Sequence, residues 1–150
     1  MTKRVACFLA VVAALLAVPF APALAAETAL AQPAPTPDNP RKVLLQLTSD
    51  DPRIVNDLLY NVVNIQRFYG QDNVRIAVVT FSAGNHALYR DTSPVKARVE
   101  SLLHYDVEFV ACGNTMEATG RKPEDLIDGV AMAPAGIDRK STRLNSSHRL

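Results

Sequence analysis

The sequence has no tryptophan, two cysteines and three histidines among its 150 residues. No cluster of histidine, cysteine and carboxylate residues has metal-ligand spacing, so neither a metal nor another cofactor is expected. Glycine is also sparse. Gly84 and Gly113 each stand alone, and nothing matches a nucleotide-binding glycine loop. Aromatic residues make up 6% of the chain. The net charge is +1, but Lys3 and Arg4 sit at the start, and Arg139, Lys140, Arg143 and Arg149 at the end. Setting those six positive charges aside turns the +1 into −5 for the region between. An acidic middle with few aromatics and no basic stripe argues against nucleic acid as a partner. No internal repeat is present.

The first residues read as an export signal. "MTKR" is a short basic start, and "VACFLAVVAALLAVPFAPALA" is an apolar run ending in the small-x-small pattern Ala23-Leu24-Ala25. Ala29-Leu30-Ala31 offers a second cut. The alternative is an uncleaved membrane anchor, but Pro19 and Pro22 shorten the helical run. Residues 1–25 are therefore expected to be removed, giving a periplasmic or secreted protein with no membrane segment. Cys7 leaves with the signal, and Cys112 becomes the only cysteine. One thiol cannot form an internal disulfide, so it stays reduced, is modified, or pairs between chains. Residues 26–41, rich in Ala and Pro, read as a disordered linker.

"KVLLQLTSDD" opens the folded region with a near-continuous apolar run, as in a strand covered on both faces. Ser49, Asp50 and Asp51 can cap a helix, and Pro52 suits its first turn. Ile54, Val55, Leu58, Leu59, Val62, Ile65 and Tyr69 then recur at helical spacing up to Gly70, a natural stop. Asn73 to Phe81 reads as a second strand and "SAGNHALYR" as a loop beyond its end. "SPVKARVESLLHY" reads as a helix capped by Ser93, with Pro94 first in the helix and His104 favourably placed at its end. "DVEFVAC" is a third strand. "NTMEATG" reads as a short helix with Asn114 and Glu117 as a capping box and Gly120 as its stop. "KPEDLIDG" gives one more helical turn, and "VAMAPAG" a short fourth strand. This alternation predicts an α/β fold: three layers, with a small, largely parallel sheet carrying helices on both faces.

In such sheets, sites form beyond the carboxyl ends of the strands. Cys112 falls there, and "TSDD" and "SAGNHALYR" leave the same edge. A thiol beside the unpaired amides of a helix start is biased toward thiolate, the reactive form. Gly113 adds backbone freedom and an open approach to the sulfur. The competing reading is that a cysteine at such a position is a small apolar filler. Asn85 and His86, on the loop after the second strand, are candidates for the rim of the site. Asp50 and Asp51 read as a helix cap first.

The stretch "VEFVACGNTMEATGRKPEDLIDGVAMAPAGI" resembles the DsrE/DsrF-like family of small sulfur-relay proteins, particularly its exported branch. The likeness runs from about Lys42 to Ile137. "ACGNTM" is its most specific part, and "VVTFSAGNHALY" and "MAPAGI" agree more loosely. The resemblance implies that Cys112 accepts sulfur as a persulfide and passes it on. It also implies a three-layer α/β fold and a homo-oligomer, while the sulfur donor and acceptor stay unidentified. The amides of Gly113 to Thr115 would stabilise negative charge on the sulfur, with Asn114 and Thr115 shaping the loop. Two features depart from the family pattern. The better-understood members work in the cytoplasm, and members continue after the "PAG" strand into a last helix. Here "DRKSTRLNSSHRL" follows; residues 138–150 resemble translated sequencing-adapter read-through, the alternative being a basic disordered tail. Two other classes of function stay open: a non-catalytic oligomeric module that binds a small ligand, and a redox-sensing thiol.

Overall fold

A computed structural model of the chain describes residues 31–135. The signal segment and the tail read from the sequence lie outside them. β1 (Arg41–Leu47), β2 (Val74–Thr80), β3 (Val107–Cys112) and β4 (Ala131–Ala133) form a sheet in the order β1-β2-β3-β4. Every neighbouring pair is parallel. Three helices connect them: α1 (Pro52–Tyr69), α2 (Lys96–His104) and α3 (Gly113–Ala118). The chain is thus an α/β protein with a parallel sheet, as the alternation predicts.

Strand order and chirality together place the helices. Each strand pairs with the next one in sequence, and crossovers between parallel strands are right-handed, so every connection among the described residues lies over the same face rather than over both, as the alternation suggests. On that face Val43, Leu45, Leu47, Ile76, Val78, Val107 and Phe109 meet Val55, Leu59 and Val62 of α1 and Val99 and Leu102 of α2. Fully burying one such side chain contributes roughly 1.5–3 kcal/mol. Alternate residues point the other way. Val79, Val110 and Ala133 are buried on the second face, packed with Leu44, Phe81 and Ala131. Along β1 only Leu47 is fully buried, because this strand pairs on one side alone within the described sheet.

The bounds of α1 follow its sequence signals. The Asp51 side chain accepts from the Arg53 N–H at 2.8 Å, Pro52 opens the helix, and Gly70 closes it. α2 differs from expectation. It starts at Lys96 with Val95 as its cap residue, two positions beyond the predicted start. The Ser93 hydroxyl accepts from the Val95 N–H at 3.3 Å, ahead of the helix, and donates to the Ala87 carbonyl at 2.7 Å, tying down the preceding loop. α3 is capped by Cys112 with no side-chain bond, so the predicted Asn114 capping box is not formed. The predicted linker also ends earlier than residue 41. Arg41 already belongs to β1, and Thr36 and Asn39 exchange backbone hydrogen bonds in a tight turn.

Candidate active site

Because all four strands are parallel, their carboxyl ends share one edge. Cys112 is the last residue of β3, paired in register with Ala133 of β4. It carries a thiol rather than half of a disulfide and is only 6% exposed.

The loop read as "SAGNHALYR" is a coiled 3-10 segment over Ser82–Leu88, which turns Gly84, Asn85, Ala87 and Leu88 inward. Asn85 is therefore not at the rim, as its loop position suggests. It is fully buried and grips the backbone of Cys112 from both sides. Its Nδ2 donates to the Cys112 carbonyl at 3.1 Å, and its Oδ1 is 3.4 Å from the Cys112 N–H. The Thr80 hydroxyl donates to the same Oδ1 at 2.7 Å. One primary amide suits this task because it presents a donor and an acceptor side by side.

Two close approaches hold the loop in place. A Cβ on Gly84 would lie 2.1 Å from the Leu47 carbonyl oxygen, so the loop lies directly on the end of β1. Ser82 has φ 54, a left-handed conformation that non-glycine residues rarely adopt. Its N–H donates to the Thr115 hydroxyl at 3.1 Å, which fastens the loop to α3.

The three residues expected to support the sulfur form the first turn of α3. A Cβ on Gly113 would lie 3.1 Å from the Ala133 and Pro134 carbonyl oxygens. Gly113 thus permits the end of β4 to approach. The Asn114 N–H donates to the Pro134 carbonyl at 3.0 Å and is committed there, not to the sulfur. Thr115 acts through its hydroxyl on Ser82.

Above Cys112 lies a recess of about 600 Å³. Phe81, Ser82, Ala83 and His86 form one wall; Asn114, Thr115, Ala118 and Thr119 form the other, with Ala135 beyond β4. His86 does line this recess, and its Nδ1 is 3.7 Å from Asp50 Oδ2, both groups being solvent-accessible. Asp51 caps α1, so its neighbour Asp50 is left to face the loop after β2. The ends of β1, β2 and β3 therefore meet here. Sequence reasoning missed Thr80 and Ser82. Thr80 does carry a signal: it is the one hydroxyl in the apolar run of β2. The left-handed turn at Ser82 has none. Among the described residues no group of three or more His, Cys, Asp or Glu could hold a metal ion.

No protein-family model and no curated protein sequence matches the chain. Solved structures do. The E. coli ychN protein superposes with a TM-score of 0.57 at 15% identity over 70% of this chain and 92% of its own. The Bacteroides thetaiotaomicron protein BT1422, described as a conserved protein of unknown function, gives 0.53 at 18% over 70% and 89%. At these identities both show the fold alone. The Methanobacterium thermoautotrophicum protein MTH1491 gives a TM-score of 0.67 at 33% identity over 71% of this chain and 94% of its own. At that identity and coverage the chain belongs to the family of MTH1491, itself described as a protein of unknown function.

Proposed function

We propose that the protein is a sulfur carrier of the DsrE/DsrF-like kind, holding sulfane sulfur as a persulfide on Cys112. The observation that carries this reading is the placement of the thiol. Its backbone is clamped by a buried amide at the edge where three strand ends converge, beneath a recess of about 600 Å³. The likeness of "ACGNTM" to the sulfur-carrying members supports it. In the loading step the Cys112 thiolate attacks the terminal sulfur of a donor persulfide. The donor's S–S bond breaks, and its inner sulfur leaves with the electron pair as a thiolate. Unloading is the same exchange with an acceptor thiolate attacking the terminal sulfur and Cys112 as leaving group.

A second reading makes the protein a ligand-binding module in which Cys112 only packs; its 6% exposure favours this. A redox-sensing thiol is the third, and would form a sulfenic acid or inter-chain disulfide on oxidation. Intact mass after incubation with polysulfide separates them. The carrier gains sulfur on Cys112, and Cys112→Ser gains none while keeping its fold. No adduct, with an alkylation–pH midpoint at or above the ordinary thiol value of about 8.5, leaves packing as the answer.

The proposal includes export and self-association. Mass spectrometry of periplasmic or secreted protein should find chains starting near Ala26, and intact Met1 chains from cytosol would contradict this. Sedimentation at micromolar concentration should show an oligomer; monomer alone would count against it.

A further inference from the structure

Resting on the persulfide reading of Cys112, we infer that its exchange partner is a small organic persulfide or thiol with an uncharged or singly charged body. Three observations carry this. First, the cysteine is 6% exposed, at the floor of a recess rather than on a flat face. A folded partner could reach the sulfur only by inserting a protruding arm, whereas a small molecule need only enter. Second, about 600 Å³ is far more than a hydrosulfide ion fills and lies in the range of pockets for organic ligands. Third, the wall chemistry is selective. Phe81, Ala83, Ala118 and Ala135 supply apolar surface, and hydroxyls of Ser82, Thr115 and Thr119 supply neutral polar contacts.

Among the described residues, His86 is the one ionisable group besides Cys112 lining the recess, and no Lys, Arg, Asp or Glu does so. A ligand with several carboxylates would lose hydration there without finding counter-charges, which is unfavourable. His86, when protonated, can match one negative charge. The exchange balances without a redox partner. The Cys112 thiol loses its proton to solvent. The thiolate attacks the terminal sulfur of RS–SH, forming Cys112–S–SH as the RS–S bond breaks. The departing RS⁻ takes a proton from solvent, and RSH leaves.

The test compares donors and blocks the recess. Purified protein is mixed with the persulfides of N-acetylcysteine methyl ester (neutral), N-acetylcysteine (one carboxylate) and glutathione (two carboxylates and an ammonium), with inorganic tetrasulfide as a fourth donor. Loading of Cys112 is timed by intact mass, and each organic rate is normalised to the same reagent acting on a small reference thiol. The first two should load at least about tenfold faster than glutathione persulfide. Ala118 is exposed on the short helix, so Ala118→Phe narrows the recess without disturbing the core. It should slow both favoured organic donors at least about fivefold relative to tetrasulfide. Asp57→Phe, an equally bulky change at an exposed position of α1 outside the recess, should load like the parent. Equal normalised rates for the three organic donors, or an Ala118→Phe variant as fast as the parent, would overturn the inference while leaving the carrier reading intact. If tetrasulfide itself adds no sulfur to Cys112, the carrier reading falls and this inference with it.

Discussion

Asn85 is the residue on which the geometry of the thiol depends. It joins Thr80 on β2 to the backbone of Cys112 on β3 through one buried side chain. Asn85→Leu leaves the Thr80 hydroxyl without its shortest partner and removes two contacts from Cys112, at a cost of about 1–3 kcal/mol read from denaturant unfolding. Asn85→Asp is the sharper test, because it keeps the shape and places an anion beside the thiol. The alkylation–pH midpoint of Cys112 should move to higher pH, since a like charge disfavours thiolate. An unchanged midpoint would show that Asn85 does not position the reactive group. A second residue-scale effect lies away from the site. The Arg121 guanidinium hydrogen-bonds both Asp91 carboxylate oxygens, at 3.1 and 2.9 Å, and stacks over the Tyr89 ring. Arg121 holds the Asp91 carboxyl below its ordinary value of 3.8. A depressed carboxyl adds stability that is complete above that value and is lost as the pH falls through the lower folded one. Asp91→Asn should therefore flatten the acid limb of a stability–pH curve below about pH 4 and leave its neutral-pH slope unchanged. An unaltered acid limb would show that the pair contributes nothing.

At the scale of elements, the site depends on how loops lie on strand ends. Gly84→Ala would drive a methyl group into the Leu47 carbonyl, backbone against backbone. Relief requires moving the Ser82–Leu88 segment, which carries Asn85 and His86. The variant should lose at least about 2 kcal/mol and, with Asn85 displaced, react with alkylating reagents at a changed rate; parental stability would show that the loop yields freely. The same contacts explain what could be read in advance. The span of α1 was legible because Asp51, Pro52 and Gly70 mark its ends by local chemistry. The position of Cys112 was legible because a β-rich run ends there. The start of α2 was not, since a serine before a proline looks like a cap whether its hydroxyl serves the first helical turn or, as here, a turn ahead of the helix together with the previous loop. Asn114 misled in the same way, because its amide is committed to Pro134, twenty residues away in sequence. Asn85 looked like a rim residue for want of any local sign that the loop coils inward. These contacts are between segments distant in sequence, and no periodicity encodes them.

For the whole molecule, the alternation of strands and helices in the sequence specified a parallel sheet without specifying its order. The order decides how stability is distributed. β2 is paired along its length with β1 and over five residues with β3, whereas β4 offers three paired residues to β3. Opening a segment with few paired and buried groups requires less free energy than unfolding the whole. The Asn114 N–H is bonded to Pro134, and Gly113 packs on the Ala133 and Pro134 carbonyls. Release of β4 therefore also loosens the first turn of α3, and the two should open as one unit. Native-state hydrogen exchange should find the β2 amides, with those of β3 from Phe109 to Ala111, at the global limit. Amides of β4 and of α3 should exchange together, at least about tenfold faster. Thr115 holds Ser82, so this unit includes one wall of the recess while Asn85 and Cys112 stay on the rigid side. If β4 exchanged as slowly as β2, or separately from α3, the division would be wrong. With the division as described, the sulfur keeps its place while the wall beside it gives way, as the proposed carrier would need in order to admit a partner to one fixed thiol.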